Sequence, residues 1–377
     1  MKKAIPYGHQ QIDKSDIASV ARVLKGDWIT QGPAVEQFEQ AIARYCKVKY
    51  AVAFSSGTAA LHGAYAAAGI GPGDEVITTP MTFAATANAI VYCGGKPVFA
   101  DIQEDTLNIN PEEIKKKITK RTKALAPVDF AGHPAELDSI KKIAREHNLF
   151  VIEDAAHALG SEYNGKKVGS FSDMTIFSFH PVKAITTGEG GMIVTERKDF
   201  YERLMAFRNH GIIKKPGKGP WYYEIQTPGY NFRLTDMQCA LGLSQFKKLD
   251  KFVQRRREIV RQYNQAFRNV PGLMLPIEKA YAKSAYHLYP IRLRLELLKT
   301  GRRKIFEALR EKGLGVQVHY IPLHLHPFYK KTFGYKKGDF PNAERYYERT
   351  ISIPLFPGMT HAQARYVIKT IRTILEL

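Results

Sequence analysis

Val151-Ile152-Glu153-Asp154-Ala155-Ala156-His157 and Phe177-Ser178-Phe179-His180-Pro181-Val182-Lys183 are the two stretches that set the fold class. An apolar run precedes Asp154 and another precedes Lys183, so both charged groups fall at strand ends. Open α/β sheets place their ligands there, in the crevice outside the carboxyl ends of the strands. Around these two stretches, β-rich runs alternate with helical patterns. Tyr50-Ala51-Val52-Ala53-Phe54 precedes a helix-like stretch from Thr58 to Ala68. Glu75-Val76-Ile77-Thr78, Pro97-Val98-Phe99-Ala100, Ala124-Leu125-Ala126-Pro127-Val128, Leu149-Phe150-Val151-Ile152, Met174-Thr175-Ile176-Phe177 and Met192-Ile193-Val194 follow. Such alternation predicts an α/β domain with a largely parallel sheet.

Farther along, Lys214-Lys215-Pro216-Gly217-Lys218-Gly219-Pro220 is too rich in breakers for helix or strand and reads as an exposed loop. Thr235 then starts a long helical pattern running through Met237, Leu241 and Leu249 to Arg256, and the domain transition is placed inside it, near Lys248. Residues 1–247 thus form a large domain. Residues 248–377 form a smaller α+β domain, with strands near His287-Leu288-Tyr289-Pro290-Ile291 and Val316-Gln317-Val318 and a closing helix from His361 to Leu375.

An amine and a carboxylate, each at a strand end, are the two groups that pyridoxal phosphate chemistry needs. The amine of Lys183 can bind the aldehyde covalently, and Asp154 facing the pyridine nitrogen keeps that nitrogen protonated. Most lysines are solvated surface groups, and only the context singles this one out. Ser56-Gly57-Thr58 lies between a strand and a helix, where free N–H groups and the helix dipole favour an anion such as the cofactor phosphate. Taken alone, the same tripeptide is an ordinary N-cap.

Composition sets wider bounds. A chain of 377 residues, 44% of them apolar, has room for a substantial core. No apolar run approaches the roughly 18–20 residues that span a bilayer, and Met1-Lys2-Lys3-Ala4-Ile5-Pro6 lacks a secretory signal's apolar stretch, so a cytoplasmic location is expected. Cys46, Cys93 and Cys239 are too scattered for a disulfide framework or a zinc site, and no metal is expected. The charge of +20, from 56 basic and 36 acidic residues, suits anionic small molecules such as a nucleotide diphosphate. The basic runs at Lys115-Lys116-Lys117, Arg255-Arg256-Arg257 and Arg302-Arg303-Lys304 accompany no nucleic-acid motif.

These motifs, with Ile5-Pro6-Tyr7, Trp28-Ile29-Thr30-Gln31-Gly32-Pro33, Ser55-Ser56-Gly57-Thr58-Ala59-Ala60-Leu61, Gly229-Tyr230-Asn231-Phe232-Arg233 and Gln317-Val318-His319-Tyr320, run in order along essentially the whole chain. In them the chain resembles the DegT/DnrJ/EryC1/StrS sugar aminotransferases. That likeness implies the aspartate-aminotransferase fold (PLP-dependent transferase fold type I) and transamination of a nucleotide-linked keto sugar. It also implies Ser178 as a hydroxyl ligand of the cofactor phosphate, and Asn231 as an asparagine reaching that phosphate from the neighbouring subunit of a homodimer. Phe83 takes the position of the aromatic stacked on the pyridine ring. Tyr7, Trp28, Thr30, His319 and Tyr320 fall in segments that line the family's substrate cleft, with Arg233 and His210 as further polar candidates nearby in motif.

His157 lies where many members carry a glutamine near the cofactor's phenolic oxygen; either side chain can donate a hydrogen bond there. This histidine, with Pro127-Val128-Asp129-Phe130-Ala131-Gly132 and His180-Pro181-Val182-Lys183, resembles the pseudaminic acid branch of the family. The implied substrates are UDP-2-acetamido-2,6-dideoxy-β-L-arabino-hex-4-ulose, aminated at C4, and L-glutamate as amino donor. A UDP-linked 4-keto pentose or a dTDP-linked 3- or 4-keto-6-deoxyhexose would use the same cofactor residues. A dehydratase of this fold carries histidine in place of the lysine, which Lys183 argues against. A non-catalytic regulator binding nucleic acid would have no need of the full lysine, carboxylate and phosphate set.

Overall fold

A computed structural model describes residues 4–376, so the first three residues of the stretch read for a leader lie outside the described residues. Seven strands, β1 (Tyr50–Phe54), β2 (Glu75–Thr78), β3 (Lys96–Phe99), β4 (Thr122–Ala126), β5 (Phe150–Asp154), β6 (Met174–Ser178) and β7 (Gly191–Thr195), form one sheet in the order β1-β7-β6-β5-β4-β2-β3. Only β7 is antiparallel to its neighbours; the other pairings are parallel.

Both faces of the sheet are covered, which is why its strands read as continuous apolar runs. Successive side chains go to opposite cores, as the two-residue period of a strand requires. Ala51 and Ala53 of β1, Phe177 of β6 and Met192 and Val194 of β7 pack with Phe38, Ile42, Leu249, Phe252 and Val253. Val52, Phe54, Ile176 and Ile193 face the other way, against Ala60, Ala64 and Tyr65 of the helix Gly57–Ala67 and Phe200 and Leu204 of the helix Lys198–Arg208. Each large side chain fully buried in this way contributes about 2 kcal/mol relative to exposure.

A second, antiparallel sheet, β8 (Leu273–Met274), β9 (Tyr289–Leu293) and β10 (Thr350–Ile353) in that order, carries the C-terminal core. It packs on the helices Arg302–Glu311 and His361–Glu376. The 19-residue helix Leu249–Phe267 belongs to both cores: Leu249, Phe252 and Val253 to the first, Ile259, Val260, Tyr263 and Phe267 to the second. Ile5 joins the C-terminal core as well, with its N–H on the Gly313 carbonyl at 2.9 Å and its carbonyl accepting Gly315 N–H at 2.7 Å. Tyr7 follows, its carbonyl holding Leu355 N–H at 2.9 Å.

Three sequence expectations need adjustment. The helical pattern from Thr235 to Arg256 is two helices, Asp236–Phe246 and Leu249–Phe267, parted at Lys247 and Lys248. Lys248 Nζ binds Asp13 Oδ2 at 2.8 Å and Asp16 Oδ2 at 2.7 Å at that point, a long-range anchor that helical periodicity does not reveal. Val316-Gln317-Val318 is not a strand; only Gln317 pairs, with Ser352 of β10. The breaker-rich segment at 214–220 is the tip of a small hairpin, Ile212–Lys214 against Tyr223–Ile225, with one 3-10 turn at Pro216–Lys218. Among the described residues, no helix is long and apolar enough to cross a membrane.

Candidate active site

The carboxyl ends of β5 and β6 open on a cavity of about 420 Å³, inside the range of small-molecule sites. Tyr7, Ser56, Gly57, Thr58, Phe83, Asp154, His157, Ser178, Lys183, His319 and Tyr320 all line it. Trp28, Thr30 and Asn231 do not. Trp28 is 59% exposed, Thr30 pairs with Thr235, and Asn231 is exposed and pairs with Asn209. Arg233 donates to Asn209 Oδ1 at 2.6 Å, and the His210 N–H donates to the Tyr230 carbonyl at 2.9 Å, so both also lie away from the cavity lining.

Asp154, the last residue of β5, is buried. Its Oδ2 accepts Thr86 Oγ1–H at 2.6 Å and its Oδ1 accepts Ala156 N–H at 3.1 Å. Thr86 is held in turn by Thr82 Oγ1 at 2.8 Å. Burial pushes the Asp154 carboxyl above its ordinary range, against the opposite pull of these donors and of Lys183. Burial also lowers the Lys183 ammonium to about 8, with the Asp154 charge resisting. The carboxylate therefore gains from a cation in the cavity, and the lysine is within reach of its neutral, nucleophilic form.

On the opposite wall, Ser56 caps the helix Gly57–Ala67, its Oγ accepting Ala59 N–H at 3.0 Å. Gly57 lets the helix approach Ser178 closely: a Cβ at that position would stand 3.0 Å from Ser178 Cβ and 3.1 Å from its Oγ, so Ser178 would have to shift. A helix N-terminus and two hydroxyls thus converge at one end of the cavity. Phe83 precedes the helix Ala84–Tyr92 and is 59% exposed, with its ring 6.0 Å from that of Tyr320, so it is no core residue of that helix.

Histidines make up much of the remaining wall. His157 Nε2 lies 3.3 Å from the Tyr320 hydroxyl, and His319 Nδ1 lies 2.9 Å from Ser352 Oγ. Burial and the nearby lysine charge push both rings down, His319 to about 4, so both are neutral at physiological pH. His287, which no sequence motif singled out, lines the same cavity with its ring centroid 4.3 Å from that of His157. Thr86 was also missed as the partner of Asp154; its only sequence signal is a hydroxyl spaced four residues from Thr82, one helical turn.

A model of one family matches residues 10–372, nearly the whole chain. The chain belongs to the DegT/DnrJ/EryC1/StrS aminotransferase family. Among relatives of this aminotransferase, the spore coat polysaccharide biosynthesis protein SpsC of Bacillus subtilis is 44% identical over 99% of this chain and 97% of its own. The UDP-4-amino-4,6-dideoxy-N-acetyl-β-L-altrosamine transaminase of Campylobacter jejuni is 43% identical over 99% and 98%. Among solved structures, Helicobacter pylori PseC, an aminotransferase involved in the biosynthesis of pseudaminic acid, superposes with a TM-score of 0.94 at 36% identity, covering 99% of this chain and 100% of its own.

The aminotransferase is pyridoxal-phosphate-dependent and has fold type I. Its own residues fit the cofactor. The cavity offers one amine, one buried carboxylate able to face a pyridinium, and a capped helix N-terminus beside Ser178 for a phosphate.

Proposed function

We propose that this aminotransferase transfers the amino group of L-glutamate to C4 of UDP-2-acetamido-2,6-dideoxy-β-L-arabino-hex-4-ulose, as a cytoplasmic homodimer whose Asn231 reaches the partner's cofactor phosphate. The observation that carries the substrate is the likeness, over nearly the full length of both chains, to a transaminase named for the corresponding 4-amino sugar. His157 beside Tyr320, where glutamine is common in the family, supports it from inside the cavity.

When bound, pyridoxal phosphate supplies an aldehyde that exchanges with amino groups and a ring that takes up the electrons of a carbanion. Lys183 would hold the aldehyde between turnovers. When free, its Nζ would move the proton between the donor's Cα and the sugar carbon. Asp154, fixed by Thr86 and Ala156, would serve the ring nitrogen and favour its protonated form. Ser56, Gly57, Thr58 and Ser178 would hold the phosphate, and Phe83 would pack on the ring. Tyr7, His319 and Tyr320 line the mouth where the sugar enters. Trp28 and Thr30, outside this cavity, would contact only a part of the substrate that extends beyond it.

Purified holoenzyme incubated with L-glutamate and the UDP-linked 4-keto L-arabino sugar is expected to give the 4-amino product, identified by mass and NMR. No turnover of that sugar, with good turnover of a UDP-4-keto pentose or a dTDP-linked keto deoxyhexose, overturns the substrate and leaves the reaction class standing.

A further inference from the structure

His287 enters the cavity wall from outside every motif read for the cofactor, and the chain is built to bring it there. Tyr286, just before it, has a φ of 49°, a left-handed conformation that a bulky side chain adopts at a cost and that persists only where the surroundings impose it. Two constraints do so. Arg256, fully buried, donates through one guanidinium nitrogen to the carbonyls of Tyr286 at 3.4 Å and His287 at 3.2 Å, and to that of Leu355 at 2.9 Å. Gly132, at φ 95°, lets the segment approach: a Cβ there would lie 2.9 Å from Tyr286 N, 3.0 Å from His287 N and 3.0 Å from the His157 carbonyl. Gly132 is therefore the point at which the backbones bearing the two histidines meet.

The two rings sit at 4.3 Å and 42°, and each has its Nδ1 buried with no hydrogen-bond partner. Buried polar atoms are normally paired, and these two orphan nitrogens lie on rings whose centroids are 4.3 Å apart. Burial and the Lys183 charge keep both rings neutral, with His157 adding to the effect on His287, so each has one N–H and one lone pair to offer.

We propose that His287 is a positioning residue: its Nδ1–H is donated to His157 Nδ1, which leaves the proton of His157 on Nε2, directed at Tyr320 and the cofactor's phenolic oxygen. The inference rests on the cofactor site proposed above. An oxygen that carries negative charge wants a donor, and only this tautomer of His157 supplies one from Nε2. A partner on the second ring nitrogen setting the tautomer of the first follows the logic of metal-bound and catalytic histidines.

The tautomer is read directly by 15N NMR of histidine-labelled apoenzyme, with His157→Gln and His287→Phe assigning the two resonance sets. In the wild type, His157 is expected to be protonated at Nε2 alone; in His287→Phe, which keeps a ring but no nitrogen, it shifts to a mixture of tautomers. The same variant is expected to weaken pyridoxal phosphate binding roughly tenfold and to move the absorption band of the bound cofactor, as loss of an orienting partner does elsewhere. His287→Asn, whose amide N–H replaces the donor, recovers most of both. Circular dichroism and thermal melting check the fold of each variant. A His157 protonated at Nδ1 in the wild type, or a His157 tautomer unchanged in a folded His287→Phe, overturns the inference. Failure of the wild type to take up the cofactor at all would instead remove the site on which it rests.

Discussion

Two regions of the molecule carry residues assigned to one reaction, and they are built in opposite ways. At the ends of β1, β5 and β6, the amine, the carboxylate and the proposed phosphate cradle converge within one chain, with Asp154 and its partner Thr86 buried behind them. The segments around Trp28 and from His210 to Arg233 lie open instead: Trp28 is 59% and Trp221 78% exposed, and Tyr230 stacks on Phe232 at 4.7 Å beside an exposed Asn231. Groups assigned to the reacting atoms are thus fixed by the sheet. Those assigned to recognition and to the proposed partner subunit ride on exposed surface segments. Exposed aromatic patches of this kind mark contact surfaces.

The largest effect expected from breaking the rigid half is that of Lys183→Ala. Turnover and the absorption band of the covalently held cofactor are both lost while circular dichroism stays unchanged; transamination at a normal rate would remove Lys183 from the chemistry. Asp154→Asn comes next. With no charge to hold a proton on the ring nitrogen, kcat falls on the order of a thousandfold, comparable to losing a principal electrostatic group at other active sites. A drop of only a few-fold, measured with saturating cofactor, would mean that Asp154 does not face the ring.

The rigid half is also the half that the sequence made legible. Asp154, Lys183 and Ser56-Gly57-Thr58 sit at junctions where an apolar run stops, and strand ends in an open sheet converge, so local pattern brings them together, while Ser178 entered through the family resemblance. His287 had no such signal, because a histidine inside a predicted strand acquires its role only through contacts with Gly132, His157 and Arg256, far away in the chain. Arg256 itself was hidden in the basic run Arg255-Arg256-Arg257. Its neighbours are half-buried and pair with Glu258 and Glu278, whereas Arg256 lies on the stripe of Phe252, Ile259, Val260 and Tyr263 and is buried. Helical spacing contained that information; a count of positive charges did not. The break at Lys247 and Lys248 was invisible because neither glycine nor proline marks it.

Asn231 sharpens the comparison from the open side. Asn231→Ala is expected to weaken cofactor affinity roughly tenfold, the usual cost of one hydrogen bond to a charged group. The proposed homodimer adds a stricter requirement. Mixing Asn231→Ala with Lys183→Ala under exchange conditions creates hybrids in which the subunit with Lys183 receives Asn231 from its partner. Cofactor affinity and activity should recover in part, to the fraction set by random pairing. If Asn231 acts within its own chain, no hybrid gains a complete site and recovery is absent.

The smallest effect concerns how the buried pair tunes itself. Lys183 must be neutral to attack the cofactor aldehyde, and burial lowers it to about 8. Uptake of pyridoxal phosphate by the apoenzyme, followed by stopped-flow absorbance, should therefore accelerate as the pH rises through about 8 and level off above it. Asp154 opposes that lowering, since its negative charge stabilises the ammonium. Asp154→Asn removes the opposition, so the midpoint moves to lower pH and uptake near neutrality becomes faster, even as the same substitution cripples turnover. The two measurements change in opposite directions only if one carboxylate serves both the lysine and the ring nitrogen. A midpoint that stays put, or moves upward, would separate the amine from the acid and undo the compact wall on which the comparison depends.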